Sequence, residues 1–92
     1  RMDSALETTP ARLQMLVLDR TEPEHNMARF YVLSIEPTLF GDAALVREWG
    51  RWGRTSRRRL DLYGDVLEAA EALDDWLVRK TRRGYRLVDG AR

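Results

Sequence analysis

The sequence contains no cysteine, which excludes disulfide scaffolds, thiol nucleophiles, zinc ribbons and iron–sulfur sites. It also fits a reducing compartment, and the expected location is the cytoplasm. There is a single histidine, His25, set in a polar stretch with Pro23 and Glu24. One histidine without cysteine partners makes no zinc site, and no nucleophile motif accompanies it, so His25 reads as a solvated loop residue. Glycine-rich phosphate loops and paired acids in a cleft-forming context are missing as well. No apolar run approaches the roughly 20 residues of a membrane helix, and no charged-then-apolar signal segment opens the chain. Arg1 before Met2 reads as the scar of a trimmed tag. These absences set the expectation of a non-catalytic protein with no cofactor, no metal and no membrane partner.

What is present suffices for one small core. The chain has 92 residues, 43% hydrophobic and 34% charged, too apolar and too balanced in charge for a disordered segment. The net charge of +1 conceals an asymmetry. Six arginines fall within 47–59 against a lone Glu48, and five more cations fall within 79–86 with no acid. Six acids lie within 61–75. Two basic clusters and an acidic helix are therefore expected, with the clusters converging on one positive surface. Fifteen of the sixteen cations are arginine.

Residues 1–11 lack a period and read as a loose tail or tag remnant, leaving 12–92 as a single domain. Residues 12–20 alternate in a way that leaves both faces partly apolar, as in a covered strand. Residues 28–36, rich in aromatic and β-branched side chains, give a second strand, 44–52 a third and 57–63 a fourth, with a tight hairpin turn at 53–56. The period then lengthens: Val66, Ala69, Ala70, Leu73, Trp76 and Leu77 recur at helical steps, placing Trp76 in the core. Asp65 and Glu68 resemble a capping box, the cations after Arg79 suit a helix C-terminus, and Gly84 is a plausible stop. Glu68, Glu71 and Asp75 read as a solvated face. Residues 85–88 offer a final short strand. The expected fold is α+β, a four- to five-stranded antiparallel sheet with one long amphipathic helix on one face.

On the third strand, Arg47, Trp49 and Arg51 share one face and Val46, Glu48, Gly50 and Trp52 the other. An Arg–Trp–Arg stripe suits nucleic acid, since guanidinium groups pair with phosphates and an indole offers a flat face to a base or sugar. The fourth strand adds Arg58, or Arg57 and Arg59. The equally available reading is a core Trp49 flanked by surface charges. The stripe is expected to face away from the helix, with Val46 and Trp52 beneath it.

Trp49-Gly50-Arg51 followed by Trp52-Gly53 resembles the signature of the WGR domain, a module of poly(ADP-ribose) polymerases and many small bacterial proteins. Asn26 ahead of Arg29-Phe30-Tyr31-Val32, Leu45-Val46-Arg47-Glu48 before the tripeptide, Tyr63 closing a strand, Glu68-Ala69-Ala70 in the helix and Lys80-Thr81-Arg82-Arg83-Gly84-Tyr85 at its end extend the likeness over about 12–88. The resemblance implies a stand-alone bacterial member that binds nucleic acid, DNA ends or breaks rather than RNA, with Trp49 against a terminal sugar and Arg51 at the same junction. Asn26 and the segment from Lys80 through Arg83 to Tyr85 match further motif positions. With Arg47, Arg54 and Arg58 from the charge pattern, these form the candidate interface of a monomer. The turn after the tripeptide is short, and Trp52 stands where an aliphatic is usual. No catalytic or regulatory domain of the polymerases is present, so only the binding role carries over. An interaction module docking an acidic protein through the same face remains the alternative.

Overall fold

The computed structural model describes residues 14–22, 24 and 27–91. The expected tail at 1–11 and the candidates His25 and Asn26 lie outside them. Five strands, β1 (Gln14–Glu22), β2 (Met27–Pro37), β3 (Ala43–Arg51), β4 (Arg57–Tyr63) and β5 (Arg86–Ala91), form one sheet in the order β4-β3-β2-β1-β5. Every neighbouring pair is antiparallel. The one α-helix among the described residues, α1 (Val66–Arg82), leaves one edge strand and delivers the chain to the other.

The α1 boundaries follow from its caps. Asp65 accepts a hydrogen bond from the Glu68 N–H at 2.8 Å, and the Glu68 carboxylate accepts from the Gly64 N–H at 3.0 Å. That differs from a standard capping box, in which the glutamate returns to the cap residue itself. At the other end Tyr85 N–H donates to the Lys80 carbonyl and Gly84 N–H to that of Thr81, both at 3.0 Å. Gly84 sits at φ +96°. This is a Schellman closure, in which glycine takes the left-handed position and the orphan carbonyls are satisfied. It turns Tyr85 back into the protein, where it is buried.

Strand pairing decides which sheet face the helix covers. Leu16, Leu33, Arg47 and Arg59 align across β1 to β4, as do Leu18, Tyr31, Trp49 and Arg57. The buried core joins Leu16, Leu18, Tyr31, Leu33, Ile35 and Leu45 from the sheet to Ala69 and Leu73 of α1, with Trp49 and Trp76 packed against it. The Arg47–Trp49 face is thus the helix face. The two-residue alternation is as expected and its polarity is reversed, because the fully buried leucines of β1 and β2 lie in register with Arg47 and Trp49 rather than with Val46.

The hairpin also differs. β3 ends at Arg51, and Trp52 occupies a turn in which Arg54 N–H donates to the Arg51 carbonyl at 3.1 Å. Gly53, at φ +80°, supplies the positive φ this turn needs. Trp52 is 55% exposed rather than core; it leans on Phe30 of the far sheet face, ring centres 4.8 Å apart. The loop beyond folds tightly over β3. A Cβ at Gly50 would lie 3.2 Å from the Ser56 Cα, and the Ser56 hydroxyl donates to Glu48 at 2.8 Å.

Candidate functional site

Trp49 faces the end of the sheet over which α1 terminates. Its indole stacks on the Tyr31 ring across the strand pair, centres 5.6 Å apart and planes 14° from parallel. Tyr31 in turn meets Trp76 of α1 at 6.4 Å and Tyr85 edge-on at 6.0 Å. Four aromatic rings from β2, β3, α1 and the turn after it therefore form one cluster, held by the sheet register on one side and the Schellman turn on the other.

Cations interleave with these rings. Arg47, expected on the surface, is only 8% exposed. Its guanidinium lies 3.9 Å from the Trp76 ring centre and 5.4 Å from that of Trp49. It donates to the Tyr31 hydroxyl at 3.1 Å and pairs with Asp61 at 3.6 Å. A buried guanidinium survives only when paired and hydrogen-bonded, and Arg47 is held this way, so it is a strut and not an exposed contact. Arg79 lies 4.6 Å from the Trp76 ring, and the Lys80 ammonium 4.4 Å from that of Tyr31. Burial, reinforced by the charges of Arg83, Arg47 and Arg79, holds the Lys80 amine below its usual pKa. Burial also pushes the Tyr31 phenol up, against the opposing hydrogen bond from Arg47.

Around this core lies a positive rim. Pairing places Arg51 opposite Arg29, two residues beyond the Trp49–Tyr31 pair on the exposed end of the strands, and Arg57 opposite Trp49. Gly84 brings the end of α1 beside the Arg20 side chain, which is itself paired with Glu22 at 2.7 Å. Beyond Trp76, an open groove of about 500 Å³ is lined by Arg79, Lys80, Arg82 and Arg83.

Of the sequence candidates, the fold brings Trp49, Arg51, Lys80, Arg83 and Tyr85 to one end of the helix face, with Tyr85 buried within it and Arg54 exposed in the adjoining turn. Arg47 is beneath that end. Arg58 is elsewhere: it pairs with Glu48 on the opposite sheet face, so the 47–59 cluster divides between faces and does not merge whole with 79–86. The acids Glu68, Glu71, Asp74 and Asp75 are exposed on α1. Of the two settings offered for the fourth strand, the register selects Arg57 and Arg59 for the Trp49 face. Sequence reasoning missed Tyr31 and Arg29, which the β2–β3 register brings beside Trp49, and it missed Trp76 as a partner of Arg47. Among the described residues no group of three or more metal-ligating side chains comes together, and no helix is long and apolar enough to cross a membrane.

Among the described residues, a five-stranded antiparallel sheet with one α-helix packed on it, carrying a Trp-Gly-Arg strand, defines an α+β fold. The family model of the WGR domain matches residues 14–92, and the chain belongs to that family. The WGR domain is a non-catalytic module, of nucleic-acid-binding type in poly(ADP-ribose) polymerases. The chain is also similar to the uncharacterized protein y4dW of Sinorhizobium fredii (strain NBRC 101917 / NGR234), with 44% identity over 71 residues. That match covers 77% of this chain and 35% of the relative, so the chain spans about a third of its length.

Proposed function

We propose that this domain binds nucleic acid, DNA in preference to RNA, at an end or break, through the Trp49 end of its helix face. The observation that carries the reading is the stacked Trp49–Tyr31 pair with cations from both basic clusters beside it. An end exposes a sugar and base that a flat indole can cover, whereas a continuous duplex buries them in its stack. Arg51, Arg29 and Arg57 on the sheet side and Arg79, Lys80 and Arg83 on the helix side would neutralise the flanking phosphates. Arg47 holds the rings in place from below. The reading further takes the domain to act as a monomer in the cytoplasm.

Fluorescence anisotropy with a labelled blunt duplex at low salt tests this. Binding should weaken steeply with salt, and Arg51→Ala should reduce the log–log salt slope by about one. Trp49→Ala should cost about 1–3 kcal/mol, the range for one base–aromatic contact. A closed circular duplex should compete poorly against linear fragments. No binding of DNA or RNA at tens of micromolar protein would end the reading in favour of an acidic protein partner.

A further inference from the structure

Fifteen of the sixteen cations in this chain are arginine, and the single lysine is Lys80. It occupies the junction of the two features described above. Its ammonium lies 4.4 Å from the Tyr31 ring centre, 5.7 Å from that of Tyr85 and 5.9 Å from that of Trp76. It also lines the groove, with Trp76, Arg79, Arg82 and Arg83. Among the described residues no carboxylate pairs with it. Its backbone carbonyl receives the N–H groups of Arg83 and Tyr85, which fixes the stem of the side chain in the last turn of α1.

A guanidinium stays protonated and cannot act as a nucleophile at neutral pH; an amine can, and its neutral fraction grows when burial and neighbouring cations disfavour the charge. Rings and arginines impose both conditions on Lys80. The same arginines attract anions to the groove.

We propose that the Lys80 groove captures phosphate-bearing aldehydes as a reversible imine, with the Lys80 amine as nucleophile and Arg79, Arg82 and Arg83 as counter-charges for the phosphate. The neutral amine adds its electron pair to the carbonyl carbon, and the carbonyl π pair moves to oxygen. The resulting carbinolamine takes up a proton and loses water, leaving a protonated imine that hydrolysis returns to amine and aldehyde. No electrons are gained or lost overall. The shared chemistry has two sources, a free sugar phosphate or the ring-opened deoxyribose left in a strand that has lost a base; the second source rests on the nucleic-acid reading above.

The test incubates the full chain with pyridoxal 5′-phosphate, and in parallel with a duplex carrying one base-less deoxyribose at its end. Sodium borohydride reduces any imine to a stable secondary amine, and peptide mass spectrometry separates a Lys80 adduct from one on the α-amino group. The expected result is trapping at Lys80 at least about tenfold faster than at Nα-acetyllysine, the low end of what a focused positive field adds to local anion concentration. Unphosphorylated pyridoxal should lack that advantage. Lys80→Arg, checked for fold by circular dichroism, should lose the adduct, and the Arg79→Ala/Arg83→Ala double variant should retain slow trapping. Labelling of Lys80 no faster than Nα-acetyllysine, or equally fast by pyridoxal, would overturn the inference. Intact duplex binding without trapping in either arm would overturn it and leave the proposed function standing. Trapping of pyridoxal 5′-phosphate alone, with no duplex bound, would support the groove chemistry and remove the nucleic-acid reading.

Discussion

The Arg47 guanidinium joins the motif strand to the helix, lying 3.9 Å from the Trp76 ring centre while donating to the Tyr31 hydroxyl. An arginine beside the Trp-Gly-Arg tripeptide thus serves the fold first. Arg47→Ala would orphan a buried hydroxyl and remove an aliphatic stem packed between rings. We expect a loss of about 2–4 kcal/mol in a urea titration. Arg51→Ala, at an exposed position, should stay within about 0.5 kcal/mol of the parent. Equal losses for the two would remove the distinction between strut and contact.

Trp52 and Trp76 should separate in the same way. Trp52→Ala removes a half-exposed ring and its contact with Phe30, costing about 1 kcal/mol. Trp76→Ala removes a ring packed on the core and under two guanidinium groups, costing roughly 3 kcal/mol or more. Thermal melts of the two variants order them directly.

The glycines of the motif carry different burdens. Gly50→Ala would press a methyl against the Ser56 backbone, at a cost of about 1–3 kcal/mol. Gly53→Ala meets no neighbour but forces a side chain to φ +80°, costing about 1–2 kcal/mol. Restoring stability at position 50 by lengthening the 52–56 loop, with no such rescue at 53, would confirm the two causes.

Alkaline pH should expose the buried phenol. The Tyr31 pKa is raised above 10.0 in the folded state, chiefly by burial. Below pH 10 both states keep the proton and no difference arises. As pH rises above 10 the unfolded chain releases it first, so stability falls with pH. The melting temperature of Tyr31→Phe should therefore decline less steeply above pH 10 than that of the parent, and parallel declines would contradict the assignment.

Much of this domain was legible in its sequence because the relevant signals are local. The helix limits follow from Asp65, Glu68 and Gly84, and β4 from the alternation at 57–63. Local periodicity also suggests β5, although it undercounts its length. Which sheet face the helix takes is not local. Leu45 and Val46 are both apolar, β1 is apolar on both sides, and only the pairing of Leu33 with Arg47 and Leu16 chooses between the faces. Trp52 was misplaced by the same reversal of faces: it stays on the Val46 side, leaning on Phe30, and the helix covers the other side. The cluster of Tyr31, Arg47, Trp76, Lys80 and Tyr85 joins residues more than fifty positions apart, so no window of sequence contains it. The expectation that Trp49 and Arg51 share a face agrees with the sheet register, while Arg47 proves buried on that face and Arg58 falls on the opposite one.

The most direct measurement of the central claim is an NMR titration of labelled protein with a short blunt-ended duplex, following backbone amides and the three indole N–H signals. The account predicts that the Trp49 indole and the amides of Arg51 and residues 79–85 shift in saturable fashion. The Trp52 indole and the far-face residues Val32, Val46, Leu60 and Leu62 should remain still. Shifts concentrated on Phe30, Trp52 and Leu60, with Trp49 unmoved, would place binding on the opposite face and contradict it.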